Sequence, residues 1–113
     1  MGKIAFVFAG QGAQYSGMGQ SLCEASPAAQ AVFDTADQLR PGTREQCFTA
    51  PVEELSITEN TQPCLYCVDL AAARALEEAG VHADCVAGFS LGEIAALSFA
   101  GVFTPEQGFD FVC

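Results

Sequence analysis

The chain has 113 residues, half of them apolar, and a formal net charge of -10 with only four basic residues. A negative surface repels phosphate backbones and anionic lipid headgroups, so the composition argues against nucleic acid and membrane surfaces as partners. The apolar fraction argues against disorder, and the length allows one domain at most.

The N-terminal segment MGKIAFVFAGQG lacks the length and cleavage pattern of a signal peptide, and no run approaches the ~18 apolar residues that span a bilayer. We therefore expect a cytoplasmic protein whose six cysteines are mostly reduced and buried. Cys64 and Cys67 form a C-x-x-C pair at a predicted helix start after Pro63. Without a second ligand pair we favour packing over redox or zinc chemistry, and we predict no metal site.

The first predicted element is a buried strand over residues 3–8, followed by the glycine-rich loop AGQGAQYSGMG. Ser26 and Pro27 are typical of a helix start, and this helix is predicted to run to about Leu39. Residues 41–60 are less regular, with one helical turn predicted in PVEEL.

A long helix is predicted over about residues 61–79, and Gly80 ends it. The apolar residues expected on one face of this helix are Leu65, Val68, Ala72 and Leu76.

The second predicted strand covers residues 83–89, and a helix over 91–100 follows it. A last helix begins at Thr104, with a capping box completed by Gln107, and has no stop signal before Cys113.

Strands that alternate with helices predict an α/β fold with a parallel sheet and helices on both faces. Two strands are too few for such a sheet. We therefore interpret residues 1–113 as the first part of a larger domain.

The segment GFSLG lies between the second strand and the following helix, an arrangement typical of a nucleophile elbow around Ser90. Gly88 and Gly92 would let strand and helix pass closely and leave the serine exposed. The backbone N–H of Leu91, at the helix start, is expected to donate to an oxyanion. The alternative is that Ser90 merely caps the helix.

The first glycine loop matches neither common nucleotide-binding motif. Tyr15 stands where a dinucleotide fingerprint needs glycine, and Met18 replaces the lysine of a phosphate loop. In elbow enzymes a loop on a neighbouring strand supplies the second oxyanion donor, and Gln11 is the candidate. The alternative is a plain glycine turn.

No base for Ser90 is evident. The one histidine, His82, precedes the same strand, and an extended chain would place the two residues roughly 25 Å apart. We expect His82 to be a loop residue, and none of the aspartates is an obvious substitute.

Three segments together resemble malonyl-CoA:acyl-carrier-protein transacylase and the related acyltransferase domains of polyketide and fatty-acid synthases. They are FVFAGQGAQYSGMG, ITENTQPCLY and GFSLGEIAALSFAGV, and their order and spacing match the family over essentially the whole chain. The resemblance implies an α/β-hydrolase-like large-domain core. Residues 1–113 would be the N-terminal part of that domain, without its inserted ferredoxin-like small domain.

The resemblance also implies a reaction of fatty-acid biosynthesis. Ser90 would take a malonyl group from coenzyme A as a seryl ester and pass it to the phosphopantetheine thiol of acyl carrier protein. Malonyl-CoA and acyl carrier protein would be the partners, and no cofactor is implied because the thioester is itself the substrate. The N–H groups of Gln11 and Leu91 would form the oxyanion hole, and Gln62 would lie beside the acyl pocket.

Two departures from the family matter. Phe89 stands where histidine is usual, which leaves the preference among malonyl, methylmalonyl and acetyl groups open. The family's malonate-binding arginine and catalytic histidine lie beyond Cys113, so we expect the isolated chain to be inactive. The alternatives are an esterase-type serine hydrolase, or a non-catalytic fragment that binds a partner or self-associates through an unfinished sheet edge.

Overall fold

The computed structural model describes residues 2–113 as two strands and seven helices. In chain order they are β1 (Ala5–Phe8), α1 (Gln20–Ala25), α2 (Pro27–Leu39), α3 (Thr43–Thr49), α4 (Val52–Leu55), α5 (Thr58–Glu78), β2 (Cys85–Gly88), α6 (Leu91–Phe99) and α7 (Pro105–Val112). Within this part of the chain, no helix is both long and apolar enough to cross a membrane.

The two strands pair in parallel, with Ala5 opposite Cys85 and Phe8 opposite Gly88. A parallel pair needs a long crossover, and the helices from α1 to α5 supply it. The carboxyl ends of both strands therefore lie at one edge of the sheet, where open α/β sheets hold their ligands. The predicted α/β class with a parallel sheet is confirmed.

The two faces of the sheet differ. Phe6 and Phe8 are buried, and their rings lie 5.4 Å and 5.8 Å from that of Phe99 on α6. On the other face, Val7 is 78% exposed. The sequence predicts helices on both faces, but within residues 2–113 only the face of Phe6 and Phe8 is covered. α6 packs on the strands, and α5 packs against α6 and not on the opposite face.

Both strands are shorter than the predicted spans 3–8 and 83–89. The side chain of Asp84 accepts a hydrogen bond from the N–H of Ile4 at 2.6 Å, and Asp84 N–H donates to the carbonyl of Ile4 at 2.7 Å. This local exchange occupies the start of the pair, so the regular ladder begins one residue later.

Two short helices were not predicted. α1 follows Gly19 and α3 follows Gly42, both with positive φ and neither with a side-chain cap, so the usual start signal is missing. Each helix buries a cysteine, Cys23 or Cys47, and tertiary packing outweighs the loop-like sequence. The helical turn expected in PVEEL is confirmed as α4.

α5 begins at Thr58 and encloses Pro63, so the expectation of a helix start after this proline is wrong. Cys64 and Cys67 lie inside the helix, fully buried and unbridged. Burial raises the pKa of the Cys67 thiol well above its ordinary value, which disfavours a reactive thiolate.

The buried surface of α5 is broader than the predicted stripe. The helix packs against α2, α6 and α7, and Leu76 is 43% exposed. Its buried residues are Thr61, Pro63, Cys64, Leu65, Tyr66, Cys67, Leu70, Ala71 and Ala73. A helix enclosed by several neighbours does not show the single stripe of a surface helix.

The hydroxyl of Tyr66 connects α5 with the last two helices. It lies 2.9 Å from both the Ser98 hydroxyl on α6 and the Pro105 carbonyl at the start of α7. The capping box of Thr104 and Gln107 is confirmed beside it.

We expect Tyr66→Phe to lower the free energy of unfolding by about 1–3 kcal/mol, because the buried Ser98 hydroxyl and Pro105 carbonyl lose a partner. Urea denaturation measures this change. Tyr15→Phe is the matched control, since Tyr15 is 61% exposed and makes no side-chain hydrogen bond within residues 2–113. Equal stability of the two variants would contradict the assigned role.

Candidate active site

Ser90 occupies a two-residue turn between β2 and α6 in a strained conformation. Its φ is 55° and its ψ is -113°, and it is the one non-glycine residue with positive φ in the described part of the chain. Such a conformation costs on the order of 1–3 kcal/mol and persists only where the surroundings impose it. The side chain is exposed, so the turn has the form of a nucleophile elbow.

The elbow packs too closely for side chains at its two glycines. A Cβ at Gly88 would lie 2.1 Å from the carbonyl oxygen of Gly92, and a Cβ at Gly92 would lie 2.1 Å from that of Phe8. The end of β2, the start of α6 and the end of β1 are therefore in direct backbone contact.

We expect Gly88→Ala and Gly92→Ala each to destabilise the chain by about 3 kcal/mol or more, at or above the usual upper end of overpacking costs, because the added methyl meets rigid backbone. Thermal denaturation measures the loss. Gly2→Ala is the control, because a Cβ there meets no atom within 4 Å. A stable, well-folded Gly92→Ala chain would show that the close approach is dispensable.

The side chain of Ser90 does not cap α6. By contrast, the Ser26 hydroxyl accepts from Ala29 N–H at 3.2 Å, and the Thr104 hydroxyl accepts from Gln107 N–H at 3.1 Å. The structure therefore disfavours the capping interpretation, and no hydrogen bond engages the Ser90 hydroxyl within residues 2–113.

The N–H of Leu91 is available beside Ser90. Gly92 N–H donates to the Phe89 carbonyl and Glu93 N–H donates to the Ser90 carbonyl, both at 2.9 Å, whereas Leu91 N–H has no acceptor within residues 2–113. It also lies at the positive end of the α6 dipole. This donor can stabilise negative charge on an oxygen bound at Ser90.

The loop after β1 lies against the elbow. A Cβ at Gly10 would be 2.4 Å from the Phe89 carbonyl oxygen, so the two loops touch immediately before Gln11 and Ser90. The side-chain amide of Gln11 donates to the Thr58 hydroxyl at 3.3 Å, and its backbone N–H has no acceptor among the described residues.

A second side chain closes this loop. Gln14 accepts from Gly12 N–H at 2.7 Å and donates to the Ser56 hydroxyl at 3.3 Å. The loop is thus anchored to the residues around the start of α5, which distinguishes it from a plain glycine turn. Sequence reasoning identified Gln11 but missed its anchors, because Ser56 and Thr58 meet the loop only through the tertiary fold.

Gln62 lies on α5, one turn beyond the threonine that holds Gln11. It is half-buried, and its side-chain amide makes no hydrogen bond in the described part of the chain. The structure brings the start of α5 to the glycine loop but does not join Gln62 to Ser90.

His82 lies in the loop between α5 and β2, at the opposite end of the strand from Ser90, as predicted. The structure therefore does not bring the one histidine of the chain to the serine hydroxyl.

Three arginines are engaged elsewhere. Arg44 pairs with Asp34, and Arg74 lies 3.0 Å from a Glu77 carboxylate oxygen and over the Phe99 ring. Arg40 donates to Thr43, Gln46 and Asn60. No salt bridge or cation contact within residues 2–113 places a guanidinium at the elbow.

Asp69 is an unexpected feature near the glycine loop. Its Oδ2 atom is buried without a hydrogen-bond partner in the described part of the chain. Burial raises the pKa of this carboxyl to about 7, and the N–H of Ala9 partly offsets the rise. The one available sequence signal was an aspartate within an otherwise apolar stretch of α5.

Asp69→Asn should stabilise the chain at pH 8 more than at pH 4. Folded Asp69 keeps its proton up to about pH 7, whereas the unfolded side chain loses it near pH 3.8, so the wild type loses stability as pH rises between these values. Asparagine does not titrate and removes this loss.

Urea denaturation at both pH values measures the difference between wild type and variant. Asp110→Asn, which removes an exposed carboxyl instead, is the control. An Asp69→Asn effect that does not change with pH would contradict the raised pKa.

The family described as the acyl transferase domain matches residues 5–113. The malonyl CoA-acyl carrier protein transacylase of Bacillus subtilis (strain 168) is 44% identical over 105 residues, which cover 92% of this chain and 33% of that protein.

Solved structures of malonyl transacylases also match nearly the whole chain. The crystal structure of malonyl CoA-acyl carrier protein transacylase from Clostridium perfringens has a TM-score of 0.91 and 38% identity, and the match covers 98% of this chain and 35% of that one. A malonyl-transacylase solved with a type II polyketide-synthase acyl carrier protein has a TM-score of 0.89 and 36% identity, with 98% and 37% covered. The chain spans about a third of the length of these relatives.

Proposed function

Because the chain belongs to the acyl transferase domain family, we propose that it supplies the nucleophile and the oxyanion hole for a malonyl transfer. The donor is malonyl-CoA, and the acceptor is the phosphopantetheine thiol of an acyl carrier protein. The observation that carries the proposal is the strained, exposed Ser90, whose hydroxyl makes no cap and lies beside the unused N–H of Leu91.

The reaction proceeds in two transfers. The Ser90 hydroxyl oxygen attacks the thioester carbonyl, coenzyme A leaves as its thiol, and a seryl ester remains. The thiol of the carrier protein then attacks that ester, takes the malonyl group and restores the serine, which is ping-pong behaviour. Since one thioester is exchanged for another, no cofactor is required.

The N–H groups of Leu91 and Gln11 donate hydrogen bonds to the carbonyl oxygen, on which negative charge develops in both steps. One such donor typically contributes roughly 2.7–4 kcal/mol to transition-state stabilisation. In the same proposal Gln62 lies beside the acyl group and Phe89 borders it, so the preference among malonyl, methylmalonyl and acetyl groups depends on contacts that these residues help to form.

The proton of Ser90 and the carboxylate of the malonyl group require further partners. His82 lies at the wrong end of β2, and the salt bridges place Arg44 and Arg74 away from the elbow. We therefore propose that residues 1–113 act as the N-terminal part of a larger acyltransferase domain. The base and the cation are supplied from outside this segment, so the isolated chain turns over negligibly.

An acyl carrier protein is the acceptor that the comparisons favour, because one structural neighbour was solved with its carrier protein bound. Self-association is a second candidate property, favoured by the uncovered sheet face around Val7. A monomer in size-exclusion chromatography with light scattering at high concentration would argue against it.

The test uses a chimera in which residues 1–113 replace the matching segment of the Bacillus subtilis transacylase. With malonyl-CoA and acyl carrier protein, the chimera should release coenzyme A and form a malonyl ester on the Ser90 peptide, detected by mass spectrometry. Ser90→Ala should reduce turnover by about 10³-fold or more, as removal of a nucleophile does. The isolated chain should release no coenzyme A above background.

Ser21→Ala is the control, because Ser21 is exposed on α1, and it should leave turnover unchanged. A chimera that keeps its activity without Ser90 would refute the assignment of the nucleophile. Faster hydrolysis of a simple ester than transfer to the thiol would favour the esterase alternative.

A further inference from the structure

We propose that Gln14 is a positioning residue for the oxyanion loop, the segment from Gly10 to Gln14. Its side-chain carboxamide occupies the backbone N–H of Gly12 and joins the loop to the Ser56 hydroxyl. The Gln11 N–H is then the donor of this turn that remains for the reaction. The catalytic part of this inference rests on the proposed function, whereas the loop contacts can be tested without turnover.

Gln11 and Gly12 are the two central residues of a tight turn. The Gly10 carbonyl accepts a hydrogen bond from Ala13 N–H at 3.4 Å, and Gly12 has a φ of 115°. A positive φ at the second central residue is typical of a type II turn and favours glycine. Type I and type II turns differ mainly in the orientation of the peptide that joins the two central residues. An acceptor on the Gly12 N–H, which belongs to that peptide, therefore fixes the form of the turn.

The carboxamide of Gln14 supplies that acceptor. Its Oε1 accepts from Gly12 N–H at 2.7 Å, and its Nε2 donates to the Ser56 hydroxyl at 3.3 Å. Gln14 is half-buried between the exposed residues Ala13 and Tyr15, so its side chain points inward. The opposite orientation of the amide would place an NH2 group against the Gly12 N–H. Only one orientation therefore satisfies the loop, and in that orientation the other end of the amide faces Ser56.

The backbone N–H groups of the turn divide into two that are occupied and one that is not. Ala13 N–H donates to the Gly10 carbonyl, and Gly12 N–H donates to Gln14. The Gln11 N–H has no acceptor within residues 2–113. Among the described residues, Gln14 thus leaves one donor of this turn unoccupied. A donor that is fixed before the reaction needs no reorganisation when charge develops on the substrate oxygen.

The backbone around Gln11 is held from three directions. On the N-terminal side, Gly10 lies against the Phe89 carbonyl oxygen, where a Cβ would be only 2.4 Å away. On the C-terminal side, Gln14 holds the next peptide. The Gln11 side chain itself donates to the Thr58 hydroxyl at 3.3 Å. Together these contacts set where the Gln11 N–H lies relative to the elbow.

The residues that anchor the loop lie on hydrogen-bonded backbone. Ser56 is the C-cap of α4, and its N–H donates to the Val52 carbonyl at 2.9 Å, while Thr58 begins α5. Both hydroxyls that hold the loop therefore come from the junction of these two helices. Without Gln14 the loop would keep the Thr58 contact, but the turn would lose its acceptor and its central peptide could rotate.

The first experiment compares backbone amides by NMR in the ¹⁵N-labelled wild type, Gln14→Met and Gln38→Met. Methionine keeps the length of the side chain but has no donor and only a weak acceptor. Gln14→Met should shift the Gly12 amide proton, speed its hydrogen exchange and also change the Gln11 amide. Gln38 is exposed on α2 and makes no side-chain hydrogen bond within residues 2–113, so its variant should leave both amides unchanged. An unchanged Gly12 amide in Gln14→Met would overturn the proposal.

The second experiment measures the two half-reactions of the chimera separately. Malonyl-CoA alone gives the rate of ester formation, and the malonylated chimera with acyl carrier protein gives the rate of transfer. Gln14→Met should slow both about tenfold with little change in KM, because an oxyanion forms in each step and a misplaced donor weakens both transition states. Gln38→Met should change neither rate. A loss confined to one half-reaction or to KM would overturn the positioning role, since it would indicate a contact with one substrate.

A double-mutant cycle tests the anchor. Ser56→Ala should slow both half-reactions by a smaller factor than Gln14→Met, because the Gly12 contact remains. The double variant should be no slower than Gln14→Met alone, because Ser56 acts through Gln14. Independent losses that multiply would overturn the anchoring role of Ser56. An inactive wild-type chimera would instead count against the proposed function, and the amide measurements would still decide the contact between Gln14 and Gly12.

Discussion

The direct backbone contact between β1, β2 and α6 at Gly88 and Gly92 is the constraint on which the candidate site depends. Because both positions are glycine, strand and helix approach closely enough for the chain to reverse over only two residues between them. That reversal imposes the positive φ of Ser90, and the packed surroundings maintain the strain. The same geometry exposes the hydroxyl, and the first N–H of α6 has no acceptor in the described part of the chain.

α5 organises what surrounds the elbow. Through Tyr66 it is joined to α6 and α7, and through Thr58 it holds the side chain of Gln11. Asp69, also on α5, lines a groove with the residues of β1, and burial raises the pKa of its carboxyl to about 7.

Features that depend on residues close together in the sequence, such as helix caps and strands, were predicted correctly. The capping residues Ser26 and Thr104 began helices where expected, and the two strands were found with small errors at their ends. The errors also have physical causes. α1 and α3 start after glycines without a cap, and α5 continues through Pro63 because packing on several sides outweighs one lost hydrogen bond.

The sequence by itself determined the α/β class, the family and the candidate roles of Ser90, Leu91 and Gln11, because elbow, loop and cap motifs lie within a few consecutive residues. Only the tertiary structure decided that, within residues 2–113, the Ser90 side chain does not cap α6, one sheet face is uncovered, and Asp69 lines a groove with β1. Those facts depend on which distant segments touch. Contacts between distant segments are set by the packing of whole helices and strands, which no local pattern encodes.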